Sequence, residues 1–289
     1  MFTRLSAPIV ALITHFPVLT VAAEGQVEKA EHAASGGAPH LPNIFSLLHT
    51  MGLMSDHLFE MSEYWVNVIY GLFTSLILVL IAQYVYRHRK IIPGPFQNGV
   101  EIVVEGLYNL FYGVMGEEAR RYTPFLGTLF LYILINNFWG LVPAGHSPST
   151  SLEITASLAI IVFIYSQYTG ITRLGFFKWL DHLAGEPRSK LMWGLMPLLL
   201  IIHIVGEFAK PFSLAVRLFG NITGEDVLIA VFVSLGVAIL SIVHSPVGLP
   251  IQVPFIFLGL LLSTIQALVF AMLSSVYLLL MLPHEEHEH

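Results

Sequence analysis

Six polar side chains recur at helical spacing within an apolar stretch of the chain. They are His203, Glu207, Lys210, Arg217, Asn221 and Glu225. On a helix that turns by about 100° per residue, they share a sector less than about 90° wide and extend over about 33 Å, comparable to the apolar core of a bilayer. Glu225, Asn221 and His203 can carry protons or order water. The stripe therefore predicts either a path for protons or a set of buried salt bridges.

Arg217 is the member of this stripe that a simple salt bridge explains least well. An arginine at the bilayer centre costs about 3 kcal/mol on insertion scales, and the nearest acid on its stripe, Glu225, lies two helical turns away. Glu207 and Lys210 are only three residues apart and could simply pair. We therefore expect the partner of Arg217 on another helix or another chain. Since a guanidinium group stays protonated, Arg217 is predicted to act as a fixed positive charge.

The last apolar segment carries a second polar stripe, of which Gln266 is the most suggestive member. The others are Ser263, Ser274 and Tyr277. Hydrogen bonding between helices would explain the serines equally well, whereas Gln266 could face Arg217 across a hairpin. Glu153 lies near the outer end of an earlier apolar segment. It is expected either to line a water-filled cavity or to lie at the level of the lipid headgroups.

The composition indicates that membrane helices position these residues. Of 289 residues, 55% are hydrophobic and 11% are charged, against the roughly 25% charged that is usual for globular domains. The mean hydropathy is +0.75, so the charges are too few to cover a soluble particle of this size. The chain has no cysteine, which excludes disulfides, thiolate metal sites and a Cys nucleophile. Its net charge of −6 offers no basic footprint for nucleic acid.

Five apolar segments are long enough to cross a bilayer, which takes about 20 helical residues. They are residues 64–86, 122–142, 151–171, 191–243 and 250–282. The last two are over-long and are predicted as a strongly tilted hairpin, with the first of them tilted, kinked at a proline or broken. Residues 99–117 mix glutamates with apolar side chains and predict an amphipathic interfacial helix. The predicted fold is an all-α polytopic membrane protein of about five membrane-crossing helices plus this interfacial helix.

The basic residues orient the predicted helices. The basic connections, which are expected to be cytoplasmic, are 87–90, 120–121 and 173–190. Connections without Lys or Arg, at 143–150 and 244–250, are expected outside. This places the N-terminus outside and the C-terminus in the cytoplasm. The predicted organisation is a signal-like leader (1–23), a linker or interfacial segment (24–62), a membrane domain (63–283) and a polar tail (284–289).

Three motifs make the chain resemble subunit a of the rotary F-type ATP synthase. The most specific is KPFSLAVRLFGNITGE at residues 210–225. Residues 266–277 resemble the last helix of that family, and residues 136–143, with the Pro148 that follows them, resemble its earlier outward turn. The resemblance covers about residues 60 to 283.

The resemblance implies a proton-translocating stator subunit that couples ion flow to rotation and ATP synthesis. Its implied partners are a ring of c subunits with membrane carboxylates, the b subunits of a peripheral stalk and the rest of the complex, in a bacterial inner membrane. It implies two offset half-channels and no catalytic residue, metal or cofactor in this chain. Protons are the expected ion, with Na⁺ left open because much of that choice lies in the c subunit.

The resemblance also implies roles for single residues. Arg217 matches the essential arginine of the family. Asn221, Glu225 and Gln266 match positions near the outer half-channel and the arginine, whereas His203 and Glu207 are assigned to the cytoplasmic half-channel.

One position departs from the family pattern. Some members carry a His or Glu about one and a half to two turns before the glutamine, and this chain has Gly259 there. Glu225 therefore lacks a titratable partner at the matching place on the last helix. Glu153 or Asp226 could replace it, and Glu153 is the predicted second carboxylate of the outer half-channel.

Two other classes of protein compete with this interpretation. A stand-alone secondary transporter or ion channel would explain charges within the membrane, but it predicts a substrate cavity and usually internal repeats, and the sequence shows no repeat. An intramembrane hydrolase is disfavoured because neither His-Glu-x-x-His nor Gly-x-Ser-x-Gly is present. The histidines and glutamates of 284–289 are expected to form a solvated tail rather than a metal site.

Overall fold

A computed structural model describes residues 43–142, 144–183, 190–241 and 250–282. The predicted leader at 1–23, most of the linker and the polar tail at 284–289 lie outside these residues. The described part of the chain contains eight α-helices and no strand. The helices are α1 (Ile44–Thr50), α2 (Asp56–Arg87), α3 (Pro95–Met115), α4 (Ala119–Trp139), α5 (Leu152–Leu174), α6 (Phe176–Leu183), α7 (Lys190–Ser241) and α8 (Val253–Leu280).

Four of these helices contain stretches long and apolar enough to cross a membrane. The stretches are Tyr64–Arg87 in α2, Leu152–Leu174 in α5, Leu198–Ile239 in α7 and Val253–Leu280 in α8. They confirm an all-α polytopic membrane fold. Helix α4 covers most of the predicted span at 122–142 but is less apolar, since it carries Arg120 and Arg121 near its start and Asn136 and Asn137 near its end. Its crossing of the membrane stays a prediction.

Helix α3 is amphipathic, as its sequence predicts. Pro95 begins the helix, and Gly116, with a φ of 59° that disfavours other residues, follows its end. Leu107, Phe111 and Met115 recur every four residues and are the buried side of the helix, while the glutamates near its start are exposed. The interfacial position of α3 in a membrane stays a prediction.

Helix α7 runs without interruption for 52 residues, about 78 Å at 1.5 Å per residue. The predicted alternative of a broken segment is therefore wrong within Lys190–Ser241. Pro211 removes one backbone donor inside the helix, but the helix continues on both sides of it. The turn of the predicted hairpin, at 242–249, lies outside the described residues.

The chain divides into two compact units, each assembled from separated segments. The first unit combines the described residues up to 73 with residues 135–150 and 221–264. The second combines residues 74–134 and 151–220 with the described residues from 265 onward. Helices α2, α4, α7 and α8 each contribute to both units, so residues of one helix can belong to different cores.

Each unit has its own apolar core. In the first, Phe232 of α7 stacks on Phe255 of α8 at a ring-centroid distance of 3.7 Å, and Tyr70 of α2 meets the edge of Trp139 at 5.7 Å. In the second, aromatic and aliphatic side chains of five helices are fully buried. They include Phe111, Tyr122, Leu126, Val162, Leu214, Leu218 and Phe270. These cores hold the helices that carry the polar side chains described next.

Candidate functional site

The polar stripe of α7 has a buried edge and an exposed edge. Glu225 is only 9% exposed, and the side chains of Glu207 and Lys210 are 17% and 24% exposed. The exposed members are His203, Arg217 and Asn221. The angular order explains the burial of the two glutamates, which lie about 80° around the helix from Arg217. It does not explain Lys210, which lies at about 20° and is paired with Glu207. The stripe is thus the border between a packed and an unpacked face of α7.

The buried carboxylate of the first unit is surrounded by residues that we call the Glu225 cluster: Glu225, Ser263, Asn137 and Gly259. The hydroxyl of Ser263 lies 3.1 Å from Oε2 and 3.3 Å from Oε1 of Glu225, so it can donate to either oxygen. The side-chain amide of Asn137 donates to the carbonyl of Ser263 at 3.3 Å. Ser263 and Asn137 are themselves buried. The cluster therefore joins α4, α7 and α8 around one carboxyl group.

Gly259 leaves the space that the Glu225 carboxylate occupies. A Cβ atom at this position would lie 2.5 Å from Oε1 of Glu225 and 3.0 Å from Cδ2 of Leu141. Any other residue at 259 would therefore have to displace the end of the Glu225 side chain. Position 259 of α8 thus carries no titratable side chain, and the Glu225 carboxylate lies close to the backbone there.

Glu225 has no cationic partner in the described part of the chain. No Lys, Arg or His nitrogen lies within 4.0 Å of its oxygens among those residues. Its hydrogen-bond partner is a neutral hydroxyl, which does not fix the carboxyl group in one protonation state.

A second acidic group lies in the second unit, within what we call the Glu207 cluster: Glu207, Lys210, Gln167, Trp179 and Tyr277. The ammonium of Lys210 donates to Oε1 of Glu207, and the amide of Gln167 donates to Oε2 at 2.9 Å. The indole of Trp179 donates to Gln167 Oε1 at 3.0 Å. The ammonium also lies 5.6 Å from the ring centre of Tyr277, a cation–π contact. The predicted pairing of Glu207 with Lys210 is confirmed.

A small cavity adjoins the Glu207 cluster. Its volume is about 10 Å³, which is close to the space of one water molecule. The polar residues that line it are Ser166, Glu207, Lys210 and Tyr277. A water molecule at this point would have these polar side chains as partners, beside the apolar residues that complete the lining.

Arg217 is exposed on α7 in the second unit. The apolar side chains of Val205, Phe208, Phe212 and Val216 are 42–72% exposed and lie about 100–180° around the helix from it. Arg217 has no carboxylate within ion-pair distance among the described residues. A permanent charge on a membrane-spanning helix needs a partner, and the expected place of that partner on another helix or another chain stays a prediction.

The remaining predicted site residues lie in varied surroundings. The ring of His203 is exposed and its Nδ1 lies 3.0 Å from the carbonyl of Leu199. Glu153 is exposed in the first turn of α5. Gln266 is buried on α8, and its predicted position opposite Arg217 stays a prediction. Asn221 is exposed on α7.

Two residues of the Glu207 cluster were not identified as candidates from the sequence. Gln167 and Trp179 lie on α5 and α6, outside the two polar stripes. A signal for Gln167 was available, because it is an uncharged but strongly polar residue inside a membrane-spanning stretch. No signal of spacing links Trp179 to Gln167, since their contact depends on how α6 folds back after Gly175.

A buried carboxyl group, a partly buried one and a fixed cation on membrane-spanning helices are typical of a polytopic membrane protein that moves ions. The particular family follows from comparison with known proteins. Residues 68–279 match the family described as ATP synthase A chain, and the chain belongs to this family. It is the proton-translocating membrane subunit of the F-type ATP synthase, so the alternative of a stand-alone transporter or channel is set aside.

Curated relatives agree with this assignment. The chain is 45% identical to ATP synthase subunit a of Protochlamydia amoebophila over 256 residues, which cover 86% of this chain and 92% of the relative. It is 34% identical to ATP synthase subunit a of Trichlorobacter lovleyi over 224 residues, covering 77% and 90%. It is also 34% identical to that of Geobacter sulfurreducens over 201 residues, covering 70% and 80%.

Proposed function

We propose that this chain is the stator of a rotary proton motor, in which Arg217 faces the membrane carboxylates of a ring of c subunits. The observation that carries the proposal is the exposed Arg217 within the membrane-spanning stretch of α7, with no carboxylate within ion-pair distance among the described residues. A permanent cation in that position needs a counter-charge, and a passing carboxylate on another subunit would supply it. Arg217 would also block direct proton leakage between two half-channels.

The Glu225 cluster and the Glu207 cluster are each assigned to one of the two half-channels. Glu225, with Asn221 and Gln266, is assigned to the outer half-channel, where it accepts protons and passes them toward the ring. Glu207 and His203 are assigned to the cytoplasmic half-channel. The cavity beside Glu207 and Lys210 supports this assignment because four polar side chains lie among the residues that line it. Leakage between the channels would dissipate about 2.3 kcal/mol per charge for each 100 mV.

The assembly partners are the c ring, the b subunits of the peripheral stalk and the remaining subunits of the complex. The protein is a membrane subunit, and its bacterial relatives indicate the plasma membrane. The basic connections support an orientation with the N-terminus outside and the C-terminus in the cytoplasm. Protons are the proposed ion.

The variant Arg217→Ala tests this function. Inverted membrane vesicles should retain the assembled complex and lose ATP-driven proton pumping, because no fixed charge then meets the ring carboxylate. Arg217→Lys should also lose most pumping, since a compact ammonium does not reproduce the planar guanidinium. Arg89→Ala, which removes an exposed arginine from a basic connection, is the matched control and should pump normally. Normal pumping by Arg217→Ala would refute the proposal.

A further inference from the structure

We propose that Ser263 is a positioning residue for proton transfer through Glu225, and that Gly259 provides the space in which it acts. The inference rests on the proposed function, in which Glu225 takes up and releases protons. It identifies a neutral partner for this carboxyl group in place of a second titratable residue.

The chemistry of a hydroxyl fits a carboxyl group that changes its protonation state. An ionised Glu225 accepts a hydrogen bond from the Ser263 hydroxyl, and a protonated Glu225 donates one to the same oxygen. A Lys or Arg in this place would stabilise only the ionised form. Ser263 can therefore hold the carboxyl group in both of its forms.

The geometry allows the hydroxyl to serve both carboxyl oxygens. Ser263 Oγ lies 3.1 Å from Oε2 and 3.3 Å from Oε1, so rotation of the hydroxyl hydrogen switches the bond without movement of Glu225. Ser263 is 0% exposed, and competing solvent is therefore kept from its hydroxyl. The bond from Asn137 to the carbonyl of Ser263 holds this turn of α8 against α4.

Gly259 and Ser263 act together because they are four residues apart on α8 and so lie one above the other on the same face. The glycine provides the gap, and the serine provides the hydrogen bond beside it. The close approach of 2.5 Å between a Cβ at 259 and Oε1 of Glu225 means that even an alanine must push the carboxylate away from this seat. The Glu225 carboxylate can therefore occupy its observed place only when residue 259 is a glycine.

The experiment compares four single variants in membrane vesicles of the complete complex. Proton-driven ATP synthesis is measured after the amount of assembled complex has been matched on native gels. Ser263→Ala should lower the rate about tenfold or more, the effect of losing one hydrogen bond to a charged group. Ser263→Thr retains the hydroxyl and should restore most of the rate. Gly259→Ala should reproduce the loss with the hydroxyl still present.

Ser275→Ala is the matched control. Ser275 is a buried serine of the same helix, and among the described residues its hydroxyl bonds only to the carbonyl of Met272, at 2.7 Å. This variant should synthesise ATP at the normal rate. A Ser263→Ala rate equal to that of the control would overturn the proposal. Loss of assembled complex in Ser263→Ala would assign the hydroxyl a structural role and would overturn it too.

The Arg217→Ala variant, run in the same assay, separates this inference from the proposed function. If Arg217→Ala still synthesises ATP, the proposed function itself fails. If Arg217→Ala is inactive and Ser263→Ala is normal, the function stands and only the role of Ser263 is refuted.

Discussion

Glu225 and Glu207 lie on the same helix and on the same side of its polar stripe, yet their neighbours differ. Glu225 meets a hydroxyl and has no cation within ion-pair distance among the described residues. Glu207 meets an ammonium and a side-chain amide. A hydroxyl can hydrogen-bond to a carboxyl group in both of its forms, whereas an ammonium pairs with the charged form. The position of a glutamate on the helix therefore does not determine which partners its carboxyl group has.

Substitution of the two glutamates by glutamine should separate these roles most strongly. Glu225→Gln removes the exchangeable proton and should lower proton-driven ATP synthesis by a factor of about 100 or more, while the complex still assembles. Glu207→Gln leaves Lys210 partly buried without its counter-charge, which costs about 3 kcal/mol by analogy with broken buried pairs. Its main effect should be a smaller amount of assembled complex. Synthesis rates and native gels measure the two effects.

A double variant provides the control for this comparison. Glu207→Gln combined with Lys210→Met removes both charges of the pair and should restore the amount of complex, because no uncompensated charge remains. If the double variant assembles fully but fails to synthesise ATP, the Glu207 cluster carries protons. A normal rate would limit the pair to a structural role.

Glu153→Gln should have a smaller effect, because Glu153 is exposed and Glu225 already has Ser263 as a partner. If Glu153 belongs to the outer half-channel, the rate of ATP synthesis should fall by up to about tenfold and should depend differently on outside pH. Assembly should not change. An unchanged rate and pH profile would remove Glu153 from the path and leave Asp226 or bound water. Gly259→His is not expected to compensate, since its Cβ would displace Glu225.

Cysteine labelling tests on which side of the membrane the half-channels assigned to Glu225 and Glu207 open, and it should disturb activity least. Only an introduced cysteine can react, because the chain has no cysteine of its own. Val142→Cys, at an exposed position beside the connection at 143–150, should react from outside the cell. Asp181→Cys, in the basic connection, should react only from the cytoplasmic side. Ser149 is unsuitable because its side chain is buried. Labelling with the opposite sidedness would exchange the half-channels assigned to Glu225 and Glu207.

The sequence predicts the helices well because membrane-spanning helices depend on apolar length, a local property. It also places both glutamates of α7 correctly on one edge of the stripe. The choice of partner was not predictable, since it depends on which residues α4, α5 and α8 bring to that edge. Hydrogen bonding between helices explained Ser263 equally well, and Gln167 was not predicted as a site residue. The continuity of α7 through Pro211 also required the structure.

The exposure of Arg217 has a consequence for the chain before it meets its partners. A newly inserted copy presents an exposed guanidinium group within a membrane-spanning stretch. The lipid must thin locally, or the side chain must stretch toward the headgroups, until another subunit covers that group. Cellular proteases degrade protein copies that are marginally stable. Unassembled copies would then be removed, and the abundance of this subunit would follow that of the subunits it joins.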